Sequence, residues 1–318
     1  MESQNTLRRT NALEVTGKNS AIERARFATR RVVNLIMAGL VGLAALLAVG
    51  LLLVILYYVV QRGFESFFVR ADGTTGPFNF NFFTATPSEG GIGPAILGTL
   101  IVVGLGALIA IPIGVLAGVY LSEYGRGRFA FAVRFIADML TGLPSIIVGV
   151  FVATLLVRNT FGHYSGLAGG IALAIIMAPI IARTVEEVLK LVPNALREAS
   201  LALGVPQWKT IVKVVLPSAI SGIITGVVLS IARAAGETAP LLLTILGIEN
   251  YNGNNFIGRL NPMVPVGSLP TTIYTNAGYP PNEVFRISSA WGASLILITI
   301  ILIFSLLARW ATRGKKVR

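Results

Sequence analysis

Six long runs without a charged residue recur along the chain, at residues 32–60, 95–121, 139–157, 164–182, 214–232 and 287–308. Each is long enough as a helix to cross the hydrocarbon core of a bilayer. The segments between them are polar: 61–93 is rich in Phe, Gly, Thr and Asn, 122–138 is short and basic, and 158–163 is a tight turn. A second long polar loop covers 249–286, rich in Asn, Pro and Gly. The pattern predicts an all-α membrane protein of six spans with both termini on one side. Its parts are a basic tail (1–31), a first membrane helix (32–60), an external loop (61–93), a core (94–309) and a basic tail (310–318). Gly114-x-x-x-Gly118 in the second run and Gly222-x-x-x-Gly226 in the fifth are close-packing patterns for membrane helices.

One stretch breaks the rhythm. Residues 191–217, LVPNALREASLALGVPQWKTIVKVVLP, mix charge with apolar positions between two fully apolar runs. Pro193 and Asn194 signal a helix start, with Asn as the N-cap, and Gly204 suits the left-handed residue that closes a helix. Pro206 suits the first turn of a second helix. Leu196, Ala199 and Leu203 fall at helical spacing and form one narrow apolar face. The stretch therefore predicts two short helices with a bend.

Composition agrees with the membrane reading. The chain is 54% hydrophobic and 13% charged, with a mean hydropathy of +0.76, which excludes an ordinary water-soluble core. No cysteine and a single histidine, His163, exclude a disulfide framework, thiol chemistry and a His-rich metal site. The net charge of +12 would suggest nucleic acid in a soluble protein. Its distribution argues otherwise. Twenty of the 26 basic residues fall in the two tails and in the segments around 126–134 and 183–213, five fall in the alternate loops, and Arg233 lies in a span. By the positive-inside rule both termini and the 191–217 stretch are cytoplasmic, and the excess charge is a topology signal and a contact to anionic lipid. The tail 1–31 is expected to be mostly disordered. The phenylalanines at 64–83 are expected to form an interfacial aromatic belt.

Charges inside the apolar runs carry the candidate chemistry. Arg233 and Glu237 are four residues apart, so on one helix they share a face and can offset the cost of burial. Gly236 and Pro240 loosen the helix beside them. They predict a polar element of a translocation path or its gate, with Arg able to pair with an oxyanion through its planar fork. Arg183 ends the fourth run and has Glu186 and Glu187 within a turn, which allows either a pathway role or local ion pairs. Arg134 with Asp138 reads as a solvated pair, and Glu123 as a surface charge. No G-x-x-x-x-G-K-[ST] phosphate loop occurs, so any ATP must be hydrolysed on another chain.

The row Glu198-Ala199-Ser200, three residues, Gly204, nine residues, Val214-Val215-Leu216-Pro217 resembles the EAA loop of ABC-importer permeases, with Ser200 and Val214 as mild departures. Arg233-Ala-Ala-Gly-Glu237-Thr-Ala-Pro240-Leu-Leu is similar to a signature of the PstA family of phosphate-importer permeases. So are Ala178-Pro179-Ile-Ile-Ala-Arg183-Thr-Val-Glu186-Glu187, and Ser268-Leu269-Pro270-x-x-Ile273-Tyr274 followed by Ala290-Trp291-Gly292. The likeness runs from about residue 95 to 308. The resemblance implies a type I permease fold with a cytoplasmic coupling helix, in a bacterial inner membrane. It implies a non-catalytic subunit of a phosphate importer, joined to a second phosphate permease subunit, two copies of an ATP-binding subunit and an external phosphate-binding protein. It implies no cofactor of its own. Glu198, Ala199, Gly204 and Pro217 would serve ATPase coupling, and Arg183, Arg233 and Glu237 the path or gate. A permease for another oxyanion, such as molybdate or sulfate, and an ATP-independent channel or secondary transporter are the alternatives. The cytoplasmic double helix argues against the last two.

Overall fold

The structure, a computed structural model, describes residues 2–251 and 256–313. Chain contacts group it into two units, residues 1–58 and 59–318. Helix α1 (Glu2–Glu65) occupies the first unit and enters the second. The tail expected to be disordered continues this helix instead. Its Ala, Leu, Glu and Arg residues favour the helical state, and no proline interrupts it. From Val33 to Tyr58 its large apolar side chains stand exposed, as lipid-facing positions do.

The second unit is built on α5 (Gly166–Lys190), which has the most deeply buried apolar span. Ser165 starts it, its side-chain oxygen accepting from the Ala168 N–H. Two helices close on α5 through glycine. In α2 (Gly93–Val119), a Cβ on Gly114 or Gly118 would collide with Ile181 or Val185. In α8 (Leu216–Ala235), a Cβ on Gly222 or Gly226 would collide with Val188 or Thr184. Both small-residue patterns are thus contact seams, where missing side chains let backbones approach. The seam buries Val102, Leu173, Met177, Ile181, Val185 and Leu189.

The third span is not a straight helix over 139–157. Helix α3 (Gly127–Gly142) meets α4 (Ser145–Val152) at a bend of 102°, and α4 runs on through wide i→i+5 turns to Phe161. Pro144 is the cause: it cannot continue the helical hydrogen bonding, and it holds Leu143 extended at ψ 138°. Among the described residues, five helices are therefore long and apolar enough to span, or six with the bent pair taken as one.

The remaining helices are α6 (Asn194–Ala202), α7 (Gln207–Thr210), α9 (Ala239–Thr244), α10 (Phe256–Arg259), α11 (Leu269–Ala277) and α12 (Val284–Arg313). The expected 249–286 loop thus contains a capped helix, α11. Ser268 and Thr271 cap each other, and the Leu269 N–H donates to Thr99 of α2 at 2.8 Å.

The phenylalanines of 64–83 do not form a belt. Phe67 and Phe82 are buried and meet at 5.2 Å, ring edge to ring face, and pack with Phe285, Ala293 and Ile296. Their rings are buried against α12 because Gly292 leaves room: any Cβ there would strike Phe82. Phe64 and Phe80 are the exposed members of the group, Phe80 the more so.

Candidate functional site

The 191–217 stretch bends where its sequence predicts, but only its first helix, α6, is short and separate: the second, from Gln207, runs on without a break through wide turns at 211–215 into α8. The N–H of Gly204 donates to Leu201 O and that of Val205 to Ser200 O, the paired bonds of a Schellman closure. Gly204 sits at φ 77°. Nothing lies within 4 Å of a Cβ built on it, so the demand for glycine is in the backbone and not in the space. The start differs by one residue from expectation. Asn194 is the first helical residue and not the N-cap, and its side-chain oxygen accepts from Arg197. Likewise Pro206 precedes α7 as its cap.

Three features of this loop were not visible in the sequence pattern. Ser200 is buried, and its hydroxyl meets Thr210 at 2.9 Å, joining the two helices. Arg197 points inward. Its Nη2 and Nε reach Glu123 at 2.8 and 3.2 Å, and it also donates to Leu189 O and Val192 O at the end of α5. Glu123 is accordingly not a surface charge, with its side chain 6% exposed against 18% for Arg197. The outer face is bare: Leu196, Ala199, Trp208 and Glu198 are exposed, and Leu203 is 84% exposed. Pro217 is exposed at the start of α8.

Next to this loop lies a charge cluster between α3 and α5. Glu186 is fully buried and holds three cations: Lys190 at 2.6 Å, Arg134 at 2.7 Å and Arg183 at 3.2 Å. Arg183 also pairs with Asp138 at 2.9 Å. Arg134 and Asp138 therefore do not pair with each other; each crosses to α5. Glu187 faces outward. Three cations around one buried carboxylate satisfy both its oxygens, which is what makes such burial tolerable. The sequence did contain a signal for Glu186, namely cations three residues before and four after it.

The Arg233–Glu237 pair is looser than expected. The chain leaves the helix between them: α8 ends at Ala235 and α9 begins at Ala239. The side chains approach to 3.9 Å, too long for a hydrogen bond, with Arg233 56% and Glu237 16% exposed. Arg233 is thus a half-accessible cation beside a helix break and not half of a buried pair. Gly222 lies opposite Val188 and Gly226 opposite Thr184, so α5 and α8 run antiparallel. In that register Arg233 is six residues, about 9 Å, further along α8 than the level of Arg183. The two arginines therefore mark two depths.

Comparison with known proteins places these features in a wider group. Residues 110–317 match the family model described as "Binding-protein-dependent transport system inner membrane component". The phosphate transport system permease protein PstA of Haemophilus influenzae is 39% identical over 293 residues, covering 92% of this chain and 98% of that protein. PstA 1 of Mycobacterium tuberculosis is 41% identical over 232 residues, 72% of this chain and 73% of that one. Among solved structures, a bacterial ABC transporter for the import of alginate superposes with a TM-score of 0.57 at 19% identity, over 86% of this chain and 96% of its own. The MetNI methionine ABC transporter gives a TM-score of 0.51 at 21% identity, over 71% and 94%. At those identities the two structures speak to the fold, which they share with this chain.

Proposed function

This chain belongs to the binding-protein-dependent transport system inner-membrane component family, and we propose that it is the PstA-type permease subunit of an ATP-driven importer of inorganic phosphate. The extent of the match to PstA proteins supports that substrate. Permeases of this family work with an ATPase, a second permease and a substrate-binding protein. Here we assign two ATPase copies, one partner phosphate permease and an external phosphate-binding protein. ATP binding would close the ATPase pair, push on the loop at 194–215, and rock the permease helices as rigid bodies between inward- and outward-open states.

One observation carries the coupling role. The double helix is held tightly from inside by Arg197 and Ser200 while its outer face, with Leu196, Leu203 and Trp208, is uncovered. A rigid element with an apolar outer face suits a groove on another subunit. Replacing Gly204 by Val places a β-branched residue at φ 77° and should cost about 1–2 kcal/mol in the loop. The chain should still insert, but co-purification of the ATPase should fall at least several-fold. Unchanged co-purification and uptake would remove the coupling role from this loop.

We place both termini and this loop in the cytoplasm, on the strength of the charge distribution. The chain has no cysteine of its own, so a single introduced one gives a clean label. Ser200 is unsuitable because it is buried; Leu203 and Phe80 are exposed. A cysteine at Phe80 should react with an impermeant thiol reagent in spheroplasts, and one at Leu203 only after lysis. The reverse pattern would invert the topology. Within the path, we assign Arg233 and Glu237 to its middle and Arg183 to its cytoplasmic gate.

A further inference from the structure

Glu123 and Arg197 are 74 residues apart in the chain and are joined by two charge-assisted bonds in a nearly dry setting. Glu123 lies in the wide turn Tyr120–Tyr124, where α2 unwinds by one residue per turn before Gly125. Arg197 lies in the middle of α6. A paired fork of this kind fixes angle as well as distance, because two parallel bonds resist rotation that one would allow. The same guanidinium also holds Leu189 O in the last turn of α5 and Val192 O just beyond it. Gln207 of α7 reaches the Glu123 carbonyl at 3.3 Å, so both helices of the loop grip this one turn.

The turn is held from its other side as well. Arg134 of α3 donates to Leu121 O at 2.8 Å while its Nε binds Glu186 of α5. A push on α6 therefore has a continuous polar route: Arg197 to Glu123, the 120–125 turn, Arg134, then Glu186 and Arg183. Every link is a hydrogen bond or ion pair involving a charged side chain, and the covalent connection through residues 191–193 runs only to α5. Without the Glu123–Arg197 pair, the side-chain hydrogen bond left between the loop and this turn, among the described residues, is the one from Gln207 of α7.

From this geometry we infer that Glu123 and Arg197 are positioning residues that make α6 and the end of α2 move as one body, so that force applied to the loop reaches α2 and α3 as well as α5. This rests on the importer reading above and adds the residues that transmit the stroke. A wide turn is a reasonable place for it, since i→i+5 turns interrupt the helical ladder and recur at working positions of helices.

The test uses the whole transporter in liposomes, with phosphate uptake and ATP hydrolysis measured on the same samples. Glu123→Gln and Arg197→Lys each keep bulk and some hydrogen bonding but break the charged fork. The expected result is a complex of normal yield, ATP hydrolysis within about twofold of the parent, and phosphate imported per ATP reduced at least fivefold. Loss of uptake and hydrolysis in equal proportion, or a normal ratio, would overturn the inference. If a variant assembles poorly, a second measurement decides. Cysteines at Tyr124 and Gln207, bridged by a short bifunctional thiol reagent, should leave uptake intact, because these elements move together. Uptake blocked by the bridge would show that the loop, whose two helices are joined by Ser200 and Thr210, slides against the α2 end and would overturn the inference. The parent complex serves as the control for the function itself: if it imports no phosphate, the importer reading fails and not the tie.

Discussion

Glu186→Gln should lower the thermal midpoint of the detergent-purified protein by roughly 5 °C or more. The substitution keeps the shape of the side chain but removes the one negative charge that Arg134, Arg183 and Lys190 share. Stranding partners of a buried ion pair is expected to cost about 3–5 kcal/mol. The lower end applies here, since the three cations are partly exposed and Arg183 keeps Asp138. The single replacements Arg134→Gln and Lys190→Gln leave Glu186 two cations each and should cost less, with Lys190, the most exposed of the three, costing least. Thermal unfolding of the four proteins in one detergent measures the order. Equal midpoints for Glu186→Gln and Lys190→Gln would mean that the buried carboxylate does not organise the cluster. The same carboxylate holds α3 against α5 and steadies Arg183, so Glu186→Gln should also reduce phosphate uptake.

Replacing both Arg233 and Glu237 by Gln should abolish phosphate uptake with little change in complex yield or thermal midpoint. The sequence alone had suggested a buried pair, whose single mutants would each be strongly destabilised. At 3.9 Å, and with Arg233 more than half exposed, the pair contributes at most about 1 kcal/mol to stability. The singles should therefore also fold. Arg233→Gln removes the cation that an oxyanion would meet at the helix break, and should lose nearly as much uptake as the double. Glu237→Gln removes a competitor for that cation and should lose less. Uptake by each variant, normalised to assembled complex, is the measurement. Full uptake in the double variant would leave the two residues as ordinary parts of the break between α8 and α9.

Five of the six spans, the short helix α6, the Gly204 closure and the two small-residue patterns were legible because each depends on residues within a few positions of one another. Hydropathy sets the spans, a left-handed residue sets the closure, and 3.6-residue periodicity sets the faces. The likeness to phosphate permeases was legible too, in short runs such as the one from Arg233 to Leu242. By contrast, nearness in sequence does not settle a charge's partner: Arg183 does pair with Glu186 three residues on, but other near candidates do not pair. Arg134 and Asp138 are four apart and looked like a pair, yet each finds its partner on α5. Glu123 looked like a surface charge because nothing near it in sequence suggested Arg197. The phenylalanines of 64–83 looked like an interfacial belt because ring content does not say whether α12 will cover them.

The sequence by itself therefore determined which segments are helical and apolar, where the 191–217 stretch bends, and which family the chain resembles. Only the tertiary structure decided that Glu186 is buried among three cations and that Arg197 ties α6 to the end of α2. The physical reason is one of range. Helix formation and closure are governed by contacts three to five residues apart. The energy of a charge is instead governed by how much water it loses and which charges it meets. Both are set by helices packing across 50 to 75 residues of chain, as Glu186 with Arg134 and Arg197 with Glu123 demonstrate.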